Sequence, residues 1–151
     1  MLKNLKRIIE YCQTINDGLP IPAPHIVADE MQGTTVLNNP SFTGLQIIIS
    51  MPLAKLSGDC DGMNGPHTFI IYALEKAKEV TATQCNVVEQ YLTMVDMLNT
   101  ILEKFSEDIG SQGSLGACPL LADMDLIEIE VLPSAGMFGG WNGYSAAVTL
   151  K

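Results

Sequence analysis

The residues best suited to chemistry in this sequence are concentrated in one short stretch. Residues 57–66 are rich in Gly, Asp and Asn and contain Asp59, Cys60 and Asp61, and His67 follows directly. Carboxylate and carbonyl oxygens that converge from a tight turn are the ligands that Ca²⁺ prefers. A thiol beside an imidazole is the pair that a cysteine hydrolase needs. The stretch therefore has to be tested against both kinds of site.

Neither kind of site fits the spacing well. Counted from Asp59, the fifth and twelfth positions of an EF-hand loop are Met63 and Ile70, which have no oxygen ligand to offer. His25 and His67 are the only histidines, and the sequence has no Gly-x-Ser-x-Gly nucleophile motif. We therefore expect a solvated turn between strands, with no catalytic residue, metal or cofactor. A small α+β enzyme or a ligand- or metal-binding module at residues 59–67 stays open as the alternative.

A second candidate feature is a glycine-rich tip near the end of the chain. Met137, Phe138 and Trp141 lie within residues 134–143, which include four glycines. Glycines allow such a tip to project, and aromatic anchors concentrate binding energy at interfaces. The tip either inserts into a partner or folds back over its own sheet, and we predict that it is a contact with a neighbouring subunit or layer.

The acidic residues are unevenly distributed along the chain. Residues 105–150 contain no Lys or Arg, whereas carboxylates accumulate there, including Asp123, Asp125, Glu128 and Glu130. A face of one charge sign is usually only a solvated face. Its functional alternative is a surface that repels a polyanion or attracts a basic partner.

Composition sets the broad class of the protein. The chain has 151 residues, 47% of them hydrophobic and 17% charged, which fits a single domain over residues 1–151 with its own core. The formal charge of -9 opposes binding to phosphate backbones or anionic lipid surfaces. The four cysteines form no Cys-x-x-Cys pair, so we expect reduced thiols. No apolar run reaches the roughly 18 residues that span a bilayer, so we expect a soluble protein.

Hydrophobic periodicity predicts two helices and five strands that must position these residues. The predicted segments are a helix over 1–16, strands over 25–29, 45–51 and 68–74, a long helix over 82–109, and a final hairpin of strands over 126–132 and 144–150. The polar stretch 32–39 carries no predicted element. The order predicts an α+β fold: a mainly antiparallel sheet of about five strands, with an N-terminal helix and one long central helix packed on it.

The long helix carries two apolar rows. The first follows steps of three and four residues and is predicted to face the core; it consists of Val88, Tyr91, Val95, Leu98, Leu102, Phe105 and Ile109. The second row is Val87, Met94 and Ile101. It widens the apolar surface, so we predict that it contributes either to the far side of the core or to a neighbouring subunit.

The first strand of the final hairpin alternates apolar and acidic residues. Ile127, Ile129 and Val131 are predicted to be buried, which places Glu128 and Glu130 together on the solvated face. Pro133 is expected to end this strand.

Two parts of the chain resemble a known family. Residues 69–75, followed by Thr-Ala-Thr-Gln at 81–84 and the amphipathic helix, and the closing segment Gly-Trp-Asn-Gly-Tyr-Ser-Ala-Ala-Val-Thr-Leu, resemble the neck and tail-completion proteins of tailed bacteriophages. The likeness is to tail-terminator-type proteins and covers residues 24–150. It is architectural and rests on no diagnostic motif. The long loop 57–66 and the tip 137–141 depart from the family.

The resemblance implies a virion structural protein rather than an enzyme. Such subunits assemble, within the bacterial host cytoplasm, into a homo-oligomeric ring that is a hexamer or larger. The ring joins the head connector to the tail, contacts other neck, connector or tail proteins, and leaves a channel for DNA. No catalytic residue is carried over from the family.

A channel of this kind adds an expectation for the acidic residues. DNA slides most easily past a wall that lacks Lys and Arg clusters, because such clusters would hold its phosphates. We therefore predict that the strand with Glu128 and Glu130, or the loop with Asp123 and Asp125 before it, borders the lumen.

Overall fold

The computed structural model describes residues 2–59, 62–77, 84–110, 118–121 and 123–151. The helices are α1 (Lys3–Gln13), α2 (Glu30–Leu37) and α3 (Gln84–Gly110). The strands are β1 (His25–Val27), β2 (Gln46–Ser50), β3 (Leu53–Ala54), β4 (Ser57–Asp59), β5 (Gly62–Asn64), β6 (His67–Lys76), β7 (Leu126–Met137) and β8 (Trp141–Leu150).

Six of these strands form one mixed sheet. Its order is β1-β2-β6-β8-β7, and β3 pairs with one end of β6. Only β1 and β2 run parallel, and the other pairings in this sheet are antiparallel. Strands β4 and β5 form a separate two-stranded ribbon. The α+β class with an N-terminal helix and one long central helix is therefore confirmed.

Helices cover both faces of the sheet. α3 packs on β6 and β8, and α1 joins it in a core cluster that includes Ile47 and Ile49 of β2. Ile48 faces the other way, into a second cluster with Leu37 of α2. All three isoleucines are fully buried, so β2 is covered on both faces. Alternation along a strand requires this division of its side chains.

α2 is the helix that the periodicity did not predict, and the short strands β3, β4 and β5 were not predicted either. Asp29 caps the first turn of α2 by accepting a hydrogen bond from the Gln32 backbone N–H at 2.8 Å, and Gln32 Oε1 accepts one from the Ala28 N–H at 2.6 Å. These paired bonds are close to a capping box, which the Asp-x-x-Gln spacing of residues 29–32 signals. The helix joins the parallel strands β1 and β2, as such a connection requires.

The glycine-rich tip folds back over its own sheet. Phe138 and Trp141 are buried within the protein, in the cluster with Leu37 and Ile48. The Phe138 ring packs edge-to-face on Tyr72, with the centroids 5.2 Å apart. The predicted contact with a neighbour is therefore corrected for these two aromatic residues, because neither has a free surface to offer. Met137 is half-buried against the same cluster.

β7 departs from its predicted extent and burial. It continues through Pro133 to Met137, which is tolerated because β7 is an edge strand and the missing N–H breaks no ladder. The register shifts between Leu126 and Glu128, so the extra residue, Ile127, is exposed rather than buried as predicted. Val131 is also exposed, whereas Ile129 packs on the core as expected.

Candidate functional site

The second apolar row of α3 belongs to the core of the subunit. Met94 and Ile101 are fully buried, and Val87 is half-buried. Since α3 lies on β6 and β8, this row faces the sheet. The row was predicted to contribute either to the core or to a contact with a neighbouring subunit, and Met94 and Ile101 lie in the core. Their use as a contact with a neighbouring subunit is corrected.

The apolar residues that α3 leaves exposed come from elsewhere on the helix. Val88 is 51% exposed, Leu92 57% and Val95 37%. Their spacing of four and three places them on one side of the helix, the side turned towards the edge strand β7. Val88 and Val95 had been predicted to face the core, and this is wrong because α3 sits on β6 and β8, so the side towards β7 lacks cover.

An open groove follows this exposed row. A concavity of about 310 Å³ is lined by Val88, Tyr91, Leu92, Val95, Pro133 and Tyr144. Its floor is fixed by Tyr91 and Tyr144, whose rings pack at 85° with their centroids 6.0 Å apart. The other four lining side chains are aliphatic. A surface of this type binds by burying apolar area rather than by acid-base or metal chemistry.

The groove continues along the helix into a second concavity. That one measures about 180 Å³ and is lined by Val95, Leu98, Asn99, Leu102 and Val131. Because Val95 belongs to both, the two form one continuous surface. We call it the α3–β7 groove.

The outer rim of the groove is acidic. Glu89, Asp96 and Glu103 recur at intervals of seven residues, and all three are exposed. At about 100° per residue this stripe lies next to the exposed apolar row, on its solvent side. Asn99 Nδ2 donates a hydrogen bond to Glu103 Oε1 at 2.9 Å, which links the lining of the groove to its rim.

The strand side of the groove is a long sheet edge with exposed apolar side chains. Leu126, Ile127, Val131 and Leu132 of β7 are all more than one third exposed. Of these, Val131 lines the groove, whereas Leu132 pairs with Ser145 and lies on the opposite face of β7. A long edge with apolar side chains is a ready template for association and usually needs protection. Together with the groove it makes this end of the subunit the best candidate for a contact surface.

The predicted lumen carboxylates lie on the other side of β7. Glu128 and Glu130 pair with Thr149 and Ala147 of β8, whereas Val131 pairs with Ala146, which is in the core beneath α3. Alternation therefore separates the carboxylates from the groove. Both glutamates are exposed.

The loop before β7 also keeps its carboxylates in solvent. Asp123 and Asp125 are exposed, and the Asp125 backbone exchanges two hydrogen bonds with that of Lys151 at 2.8 and 2.9 Å. The role of these four carboxylates at the border of a lumen stays a prediction.

The alternative site around residues 59–67 is only partly described. Cys60, Asp61 and the Asp59 side chain lie outside the described residues. His67 is 2% exposed, its Nε2 has no hydrogen-bond partner among the described residues, and burial lowers its pKa. Within the described ranges, no group of three or more His, Cys, Asp or Glu residues is placed to hold a metal ion.

Leu92 is the exposed groove residue of α3 that the sequence pattern missed, because it belongs to neither predicted row. A usable signal was present: Leu92 and the two predicted rows together make α3 apolar around much of its circumference. A sheet can cover only one side of a helix, so part of such a helix has to stay exposed or meet a partner.

No helix in the parts of the chain that the structure describes is long and apolar enough to cross a membrane. Comparison of the sequence with protein-family models and with curated proteins gave no match, so the candidate site is interpreted from its own geometry.

Proposed function

We propose that this protein is a ring-forming structural subunit of the neck or tail-completion complex of a tailed bacteriophage. It is not an enzyme; in the virion it joins the head connector to the tail and leaves a channel for DNA. The observation that carries the proposal is the α3–β7 groove, with Val88, Leu92 and Val95 exposed beside an open sheet edge. Exposed apolar side chains that adjoin one another along a groove, rather than being scattered singly, are typical of an interaction site.

The chemistry of the groove favours a structural role. Its lining is aliphatic and phenolic, and an apolar contact core with a charged rim is the usual composition of an interface between protein subunits. The groove is open along α3 rather than closed around a small molecule, which fits an extended protein partner.

The opposite face of β7 supports the channel. Glu128 and Glu130 do not share a face with the groove residue Val131. A neighbour seated in the groove would therefore leave these carboxylates free. Together with the absence of Lys and Arg from residues 105–150, this gives a surface past which DNA can move without being held.

The test is the size and shape of the assembled protein. We expect sedimentation velocity to show concentration-dependent association into a species of six or more subunits, and negative-stain electron microscopy to show rings with an open centre. A protein that stays monomeric at all accessible concentrations contradicts the proposal. A monomer whose melting temperature rises strongly with Ca²⁺ or Zn²⁺ would instead support the ligand-binding module at residues 59–67.

A further inference from the structure

The outer side of α1 carries one exposed apolar residue and two that are only partly covered. Leu2, the N-cap residue, is 56% exposed, and Leu5 and Ile9 are half-buried. Their spacing of three and four residues places them on one side of the helix. An amphipathic helix that docks in a groove presents its anchors with this spacing.

This side of α1 faces away from α3. The Tyr11 ring packs on Phe105 of α3 with the centroids 5.8 Å apart, so Tyr11 marks the side of α1 that faces α3. At about 100° per residue, Leu2 lies about 180° and Ile9 about 160° round the helix from Tyr11. We call the surface formed by Leu2, Leu5, Lys6 and Ile9 the α1 flank.

The α1 flank and the α3–β7 groove lie at opposite ends of the sheet. α3 covers β6 and β8, and α1 shares a core cluster with Ile47 and Ile49 of β2. In the strand order β2-β6-β8-β7, α1 is therefore on the far side of α3 from the groove. A subunit cannot place its own α1 flank in its own groove, but a second copy beside it can.

The charges of the two surfaces are complementary. The groove is bordered by Glu89, Asp96 and Glu103. On α1, Lys3 and Lys6 are exposed, and the ion pair between Lys6 and Glu10 is a loose surface contact of 3.7 Å. The chain has only eight Lys and Arg, and two of them lie beside the apolar residues of α1. These positive charges are complementary to the acidic rim of the groove. Such complementarity selects the partner surface and sets its register.

The lengths also agree. α1 has 11 residues, which is about 16 Å of helix at 1.5 Å per residue. The groove follows α3 from Val88 to Leu102, a rise of about 21 Å. The groove therefore accommodates the whole of α1.

We propose that the α3–β7 groove receives the α1 flank of a second copy of this chain, with Lys6 facing the acidic rim. This inference rests on the proposed function and specifies its subunit contact. The contact joins two different surfaces, so each subunit keeps one free groove and one free flank. Repetition of such a contact gives a ring when the rotation between neighbours closes, which the proposed function requires.

Three matched substitutions test the contact, each placing Glu at an exposed Leu. Leu92→Glu disables the groove, Leu2→Glu disables the flank, and Leu53→Glu, at a 69% exposed site on β3, is the control. Sedimentation velocity should show assembly lost in the first two variants and retained in the third. An equal mixture of Leu92→Glu and Leu2→Glu should form dimers and nothing larger, because each partner supplies the one surface that the other lacks.

The outcomes separate this inference from the proposed function. Assembly of Leu2→Glu like the wild type overturns the inference and leaves the ring proposal standing. Failure of the mixture to form dimers, with both variants unable to assemble alone, also overturns it. A wild-type protein that never associates overturns the ring proposal and the inference with it.

Charge reversal provides an independent readout. Lys6→Glu and Asp96→Lys should each weaken association about tenfold at low salt, and the double variant should recover most of the loss, since the opposed charges are exchanged. Lys55→Glu, which changes an exposed lysine elsewhere, is the control. Equal weakening by all three single variants, with no recovery in the double variant, would overturn the predicted register.

Discussion

The imidazole of His67 is buried, and no residue in the part of the chain that the structure describes bonds to its Nε2. Burial lowers its pKa because the charged form loses its hydration. The unfolded chain titrates this group near its ordinary pKa of about 6.5. Below that pH the unfolded state therefore takes up a proton that the folded state resists, so stability contributed by the neutral imidazole is lost as the pH falls.

We expect the free energy of unfolding of the wild type to fall when the pH is lowered from 7.5 to 5, and to fall less in His67→Leu. Urea denaturation of both proteins at the two pH values measures the difference, which separates His67 from the carboxylates that titrate in both. Equal losses in the two proteins would show that His67 accepts its proton in the folded state.

The close packing of Gly33 on Phe138 is a second feature at the residue scale that can be tested. Gly33 lies buried in α2, and a Cβ at this position would overlap the Phe138 ring. That ring cannot move easily, because it is buried and packed on Tyr72. The tip of the hairpin therefore packs directly on α2, at a position where a glycine leaves room for the ring.

Gly33→Ala is expected to destabilise the protein by about 1–3 kcal/mol through overpacking, despite the roughly 1 kcal/mol by which Ala is the better helix former. In a Phe138→Leu background the methyl group has more room, so the same change should cost much less. Urea denaturation of the four proteins gives both values. The same cost in both backgrounds would mean that the overlap is relieved without the ring.

At the scale of elements, α1 is attached to α3 by a small polar cluster. The Tyr11 hydroxyl donates to Asp108 Oδ2 at 2.7 Å, and Lys104 Nζ donates to the same oxygen at 2.8 Å. Burial and the neighbouring carboxylate together raise the pKa of Tyr11. The cluster sets how α1 lies against α3 and therefore where the α1 flank points.

Tyr11→Phe removes one hydrogen bond to a charged acceptor and should destabilise the fold by about 1.5 kcal/mol. The measurement is a double-mutant cycle with Asp108→Asn in urea, which isolates the energy of this pair from the bond to Lys104. A coupling energy near zero would show that the hydroxyl contributes nothing to the attachment of α1.

The elements with a strong pattern were predictable, and the exceptions have physical reasons. The run Ile47-Ile48-Ile49 predicted β2, and the long pattern of apolar residues at steps of three and four predicted α3. α2 was not predicted, because its eight residues present no clear apolar side. The capping spacing of residues 29–32 was the one sequence signal that indicated this helix. A bulge at Ile127 reversed one expected burial, and local alternation carries no sign of a bulge.

The candidate site was less predictable than the fold, because it depends on how elements pack. The sequence shows that α3 is apolar on more than one side, but the sheet order decides which side lacks cover. Phe138 and Trp141 had the composition of an interface, yet they are buried because α2, which was not predicted, lies over them. The spacing of apolar residues shows which side chains share a side of an element. Whether that side is buried or exposed depends on how the elements pack together.

The whole molecule separates its charges and its apolar surfaces by position. One end of the sheet carries the groove and its acidic rim, and the other carries α1 with Lys3 and Lys6. The carboxylates Glu128 and Glu130 occupy a third surface, the face of β7 away from the groove. In the proposed ring, the α3–β7 groove and the α1 flank contact neighbouring subunits, and the carboxylate face of β7 stays in solvent.

The final prediction concerns that third surface. If Glu128 and Glu130 border a channel for DNA, replacing both with Lys should convert a wall that lets DNA slide into one that holds it. We expect assembled Glu128→Lys/Glu130→Lys to bind linear double-stranded DNA at low salt and to release it steeply as salt rises, because bound phosphates release counterions. Fluorescence anisotropy with the wild-type assembly alongside measures both properties.

The control must change the net charge equally at another place. Asp17→Lys/Glu107→Lys does so at two exposed positions, one after α1 and one near the end of α3. Screening limits charge effects to about 8 Å at physiological salt, so these lysines should hold DNA only if they face it. If the control assembly binds DNA as tightly as Glu128→Lys/Glu130→Lys, binding reflects net charge alone and β7 does not border the channel.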